Sequence, residues 1–152
     1  MDAYQLEKSV WTIDDFAQMG WYDCLIRAFS FSEDCTELLL DIDYILKWVL
    51  DEENQTFSFW IAPATLVFSD ISTLAFNTDT PELTIDEISF EKSEFNDGQK
   101  QWYNWNISLH YGEINFEATD FVQYIRANPI LVNQQLIPLV MRNGISFAKT
   151  SI

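Results

Sequence analysis

Asp41 and Asp43 are the two side chains in this sequence best placed to do chemistry together, because they sit inside the apolar run Leu38-Leu39-Leu40-Asp41-Ile42-Asp43-Tyr44-Ile45-Leu46-Lys47-Trp48. In an extended strand alternate residues share a face, so their carboxylates lie roughly 6.6 Å apart along the backbone and can converge on one ligand. Asp23, in the segment read as the neighbouring strand, is a third candidate, with Arg27 and Arg126 as counter-charges. Such groups can bind a cation through oxygen or divide acid and base roles as in glycoside hydrolysis. The plainer use is an ion pair. If 21–29 pairs antiparallel with 38–48, Arg27 can face Asp41 or Asp43.

Other reactive types are sparse. His110 is the one histidine, and Cys24 and Cys35 have no zinc-ligand spacing, so no metal site is expected. No glycine-rich phosphate loop and no Gly-x-Ser-x-Gly elbow occurs. The sequence therefore assigns no catalytic residue and calls for no cofactor. Asp51-Glu52-Glu53 lacks the alternating spacing of a calcium loop and reads as a solvated turn. Of the six tryptophans, Trp48 and Trp102 fall at strand ends and are candidate exposed contacts.

The elements that position these residues are mostly strands. On 38–48, Leu38, Leu40, Ile42, Tyr44 and Leu46 form one apolar face, and Leu39, Asp41, Asp43, Ile45 and Lys47 form a mixed one. Segments 21–29, 57–68, 71–76, 83–90, 102–111 and 113–118 also read as strands. Pro63 marks a bulge or bend, and a change of apolar phase between Ile85 and Ile88 marks either a bulge at Asp86-Glu87 or a twist of the segment from one face to the other. Tyr103, Trp105, Ile107, Leu109 and Tyr111 alternate with polar residues, the cleanest half-buried pattern in the chain. Thr12 before Ile13–Met19 predicts a short helix closed by Gly20, with Phe16 and Met19 docked on a sheet. Asp120 is read as the cap of a second short helix over 121–126, and 91–101 as a loop. The fold class is mainly β: an antiparallel sandwich or open barrel of about eight strands with one or two short helices, in a single domain over 1–152.

Charge sets the class of partner. The chain has 24 acids against 8 bases, a net charge of −16. Every acid lies at or before Asp120, so the first 120 residues carry −19 and the last 32 carry +3. That tail is expected to pack back on the acidic sheet. A field of this sign excludes nucleic acid, whose affinity comes from Lys and Arg releasing counterions, and favours a basic protein partner. No apolar run reaches the roughly 18 to 20 residues that span a bilayer, so no membrane partner is expected. Two cysteines and no basic, apolar leader fit a cytoplasmic, reduced location. The oligomeric state is not written in these residues.

Trp21-Tyr22-Asp23, Leu40-Asp41-Ile42-Asp43-Tyr44-Ile45 with Trp48, and Phe59-Trp60-Ile61-Ala62-Pro63-Ala64-Thr65-Leu66-Val67-Phe68 together resemble a family of small bacterial single-domain proteins of uncharacterised activity. The resemblance covers most of the chain and implies no activity. Members often carry His where Tyr22 stands. The departure removes the residue that would have made Asp23 with Asp41 and Asp43 look like a metal site. In size and charge the chain is also similar to toxin-neutralising immunity proteins. Two expectations follow: a non-catalytic acidic, immunity-like protein that engages a basic protein, or a ligand-binding or hydrolytic protein with a carboxylate site on its central strand.

Overall fold

The structure is a computed structural model that describes residues 3–152. Among them ten strands run antiparallel in one continuous open sheet. They are β1 (Val10–Thr12), β2 (Leu25–Phe31), β3 (Glu37–Asp51), β4 (Thr56–Ser69), β5 (Ser72–Thr78), β6 (Leu83–Asn96), β7 (Gln101–Leu109), β8 (Gly112–Ala118), β9 (Asp120–Ile125) and β10 (Ile130–Val132). The order is β1-β9-β4-β3-β2-β6-β7-β8-β5, with β10 pairing β4 beside β9. A 3-10 helix (Ile13–Gln18) and a four-residue helix α1 (Leu139–Arg142) complete the elements.

Among the described residues one strand pairing joins the two halves of the sheet, the short β2–β6 ladder at Leu25↔Thr84 and Ile26↔Leu83, extended by backbone bonds of Asp23 and Cys24 to Ile85. The sheet folds over at this joint and brings its apolar faces together. Phe68 of β4 meets Trp105 of β7 at 5.1 Å and Phe116 of β8 at 4.7 Å, and Trp105 meets Phe121 of β9 at 5.7 Å. Offset and edge contacts of this kind add to the area that the rings bury. Phe16 of the 3-10 helix caps the cluster, 5.1 Å from Trp21 and 4.7 Å from Phe90. The expected cover helix is there, tightened to 3-10 form, with the Asp15 carboxylate accepting the Thr12 N–H at 2.8 Å.

β3 is the axis of the first half, pairing β2 on one side and β4 on the other. Leu38 to Ile45 are all buried, so both faces of the strand are covered. The inner face meets the folded-over half, and the mixed face lies under the C-terminal segment. Pro63 stays inside β4 without interrupting it, opposite Asp43. Its carbonyl accepts the Arg126 N–H at 3.0 Å, so its nitrogen points to the same side, where β4 changes partner from β9 to β10. The missing N–H therefore costs no bond to β3.

Several expected boundaries are corrected. Trp21–Cys24 is a turn, closed by Cys24 N–H to Trp21 O at 2.9 Å, and the strand begins at Leu25. Residues 121–125 are strand β9, not helix: Phe121, Gln123 and Ile125 alternate inward, and pairing with β4 overrides the capping pattern at Asp120. β6 continues to Asn96, so only four residues of the expected 91–101 loop lie outside strands. Pairing with β7 through Lys92↔Tyr103 supplies what the polar sequence concealed. Of the two readings of the phase change at Asp86-Glu87, the bulge is the one present, as a register shift between Ile85 and Glu87.

Candidate functional site

Asp41 and Asp43 do share a face of β3, and both side chains are fully buried. Three arginines close on them. Arg142 donates from Nη2 to Asp41 Oδ1 at 2.8 Å, from Nη1 to Asp41 Oδ2 at 2.9 Å and from Nε to Asp43 Oδ1 at 2.9 Å. Arg126 donates from Nη2 to Asp41 Oδ1 at 2.8 Å and from Nη1 to the Thr65 hydroxyl at 2.8 Å. Arg27 donates from Nε to Asp43 Oδ2 at 2.8 Å and also bonds the Ile137 carbonyl. Backbone amides complete the set: Ser146 N–H to Asp41 and Ile137 N–H to Asp43, each at 3.1 Å.

Local structure explains how three separate cations arrive. Arg27 is the extra residue of a β-bulge, with Ile26 opposite Ile42 and Ala28 opposite Asp41, so the bulge aims its side chain at Asp43. Arg126 follows β9 directly. Arg142 ends α1, where Asn143 turns left-handed (φ 63°) and Gly144 follows at φ 83°. The turn also lets the Gly144 carbonyl accept from Arg142 Nη1 at 2.6 Å. Burial alone would lower the Arg142 pKa, yet Asp41 and then Asp43 hold it above the ordinary arginine value. Asp41 accepts four hydrogen bonds and Asp43 three, which nearly fills their acceptor capacity. This arrangement fastens residues 126–149 to the central strand and offers no open position to a ligand.

Asp23 is elsewhere. It occupies the turn before β2 in a left-handed conformation (φ 67°), its N–H bonded to the Ile85 carbonyl at 2.8 Å. Its Oδ1 lies 3.0 Å from His110 Nε2 and its Oδ2 accepts from Gln135 Nε2 at 2.6 Å. These groups, with Leu25, Glu82, Thr84 and Leu136, line a cavity of about 450 Å³. The structure thus separates the three expected carboxylates: Asp41 and Asp43 in a closed ionic core, and Asp23 in an open cavity that it shares with Glu82. His110, expected only as a lone histidine unable to build a zinc site, is the partner of Asp23 here. Its signal was its place, directly after the alternating strand β7.

The two candidate tryptophans differ. Trp102 is half-buried, its indole N–H donating to Asp97 Oδ2 at 3.1 Å and its ring against Phe95 at 5.6 Å, so it pins the β6–β7 loop. The Lys100 N–H, the Trp102 indole and the Gln99 N–H together hold the Asp97 carboxyl down to about 2. Trp48 is 39% exposed, stacked on Tyr22 at 6.3 Å and 22°. A larger cleft of about 610 Å³ lies between residues 3–9, 128–129 and 152; among the described residues Lys8 is its one charged side chain, and Lys8 is already paired with Asp15.

Among the described residues no group of three or more His, Cys, Asp or Glu side chains is arranged to hold a metal ion, and no helix is long and apolar enough to cross a membrane. Comparison of the chain with family models, with curated proteins and with solved structures finds no match.

Proposed function

We propose that this is a non-catalytic acidic binding protein, immunity-like in its manner of action, whose partner is a basic protein. One observation carries the reading: the arginines face inward. With Arg27, Arg126 and Arg142 committed to Asp41 and Asp43, the rest of the chain has five lysines against 22 acids. Of those lysines, Lys8, Lys100 and Lys149 are paired with Asp15, Asp70 and Glu37. The outer field is therefore more uniformly negative than composition alone requires. Such a field steers a cationic protein to the surface and repels nucleic acid. The outer side of β6–β7–β8 illustrates it, with Glu87, Glu91, Glu113 and Glu117 set around Asn104, Asn106 and Ser108. We place the protein in the cytoplasm, a location supported by the exposed free thiol of Cys35, which a reducing compartment preserves.

The test is affinity against a set of small proteins of pI above about 9 and size-matched acidic ones, measured across salt. Binding confined to basic proteins and weakening steeply with ionic strength is the expected result. Binding that ignores salt, or no binding to any basic protein, refutes it.

A further inference from the structure

The Asp23 cavity opens beside an aromatic strip. His110 and Tyr22 have ring centroids 6.1 Å apart, Tyr22 stacks on Trp48, and Trp48 meets Phe57 at 5.5 Å and Phe59 at 5.0 Å. Tyr22 is 57% exposed, Leu50 45% and Phe57 44%, whereas Trp11, Trp21 and Trp105 are buried. A contiguous apolar patch on so charged a protein marks an interaction surface. The strip lies on an arm of the sheet. β2 follows β3 only as far as Asp43, but β3 and β4 stay paired out to Asp51↔Thr56, so among the described residues no strand lies beside the outer edge of β3 beyond residue 45.

We infer that this face docks an extended basic segment of a protein partner, with one arginine or lysine entering the Asp23 cavity and neighbouring apolar side chains lying along Tyr22, Trp48 and Phe57. The inference rests on the acidic-binder reading and adds a place and a second, apolar requirement. Charge selects the occupant. Asp23 and Glu82 stand at the cavity end and Asp51, Glu52 and Glu53 at the arm's tip, so the strip is acidic at both ends. A second copy, at −16, is repelled, as is an anionic lipid surface. A guanidinium gains both carboxylates in the cavity and the faces of Tyr22 and Trp48 beside it. The free edge of β3 offers main-chain groups to an extended chain.

The experiment uses the full chain and three labelled peptides: alternating Arg-Leu, alternating Arg-Gly and alternating Glu-Leu. Fluorescence anisotropy at physiological salt gives the affinities. Arg-Leu is expected to bind at least tenfold more tightly than Arg-Gly, and Glu-Leu not at all. Tyr22→Ser and Trp48→Ala should remove that tenfold preference, and Asp23→Asn with Glu82→Gln should weaken both basic peptides. Because Trp48 also packs on Phe59, the Trp48 indole N–H resonance in the unsubstituted protein provides a second readout, and it should shift on adding Arg-Leu. Equal binding of the two basic peptides, or an unmoved Trp48 resonance at saturation, overturns the inference while leaving an acidic binder of delocalised field. Absence of binding by either basic peptide at low salt overturns both.

Discussion

Replacing Asp41 with asparagine tests whether the buried ionic core is structural. The substitution is nearly isosteric, so its cost is electrostatic. The native core holds three guanidinium groups and two carboxylates, an excess of one positive charge. Asp41→Asn leaves three cations around Asp43 alone. Arg142→Met gives up three charge-assisted bonds to the two carboxylates, but it leaves two cations and two anions. Breaking a buried pair by removing one partner costs about 3–5 kcal/mol. Charge balance puts Asp41→Asn near the top of that range, at about 5 kcal/mol, and Arg142→Met near the bottom, at about 3 kcal/mol. For a domain of this size those losses lower Tm by about 10–20 °C and about 6–12 °C respectively. Urea unfolding followed by tryptophan fluorescence measures both, with the slope unchanged if the native fold is retained. A cost below about 1 kcal/mol for Asp41→Asn, in the range of solvated pairs, would refute the reasoning, as would the reverse order of the two variants.

Two further outcomes are expected. A Cβ on Gly112 would stand 2.2 Å from the Asn77 carbonyl oxygen and 2.6 Å from Thr78 Cα, so Gly112→Ala should push edge strand β5 off β8 at a cost of about 1–3 kcal/mol, read as lost amide protection over 72–78. Burial pushes the Cys24 thiol up to about 12 from 9.0, so its contribution to stability is complete below pH 9 and is lost as pH rises toward 12. At pH 8 a thiol reagent should therefore modify Cys35 alone in the folded protein and both cysteines in denaturant; rapid native labelling of Cys24 would contradict this.

The central strand was legible because acids interrupt its apolar run on one face only, keeping period two as far as the bulge between Ile45 and Lys47. The hairpins β2–β3 and β7–β8 were legible for the same reason. Segment 121–125 was not, since Asp120 followed by apolar residues suits a capped helix as well as a strand, and only the partner β4 decides between them. Residues 91–96 were not, because a strand paired on one side with polar neighbours has the composition of a loop. The site was half legible. The antiparallel hairpin offered Arg27 as a counter-charge to Asp41 or Asp43, the bulge that turns it to Asp43 being invisible in the sequence, and the +3 tail was expected on the acidic sheet. Arg142 was not named as a ligand of both acids, because 99 residues separate it from Asp43 and no local pattern links them. Asp23 was placed with Asp41 and Asp43 on the assumption of a strand at 21–24, and the turn there aims it at His110 and Gln135 instead.

The distance along the chain between the two acids and their last cation bears on synthesis. Until a ribosome has passed β9, the nascent β3 holds Asp41 and Asp43 with Arg27 as the one core arginine already made, and Arg126, directly after β9, adds the second. At roughly 5–20 residues per second, Arg142 follows Asp43 by about 5–20 s. Until then the strand cannot sequester two ionised carboxylates without strong penalty, and it stays accessible to chaperones and proteases. A polypeptide interrupted before Arg142 therefore lacks the one guanidinium that bridges both acids, and its central strand is left without the cation that spans them.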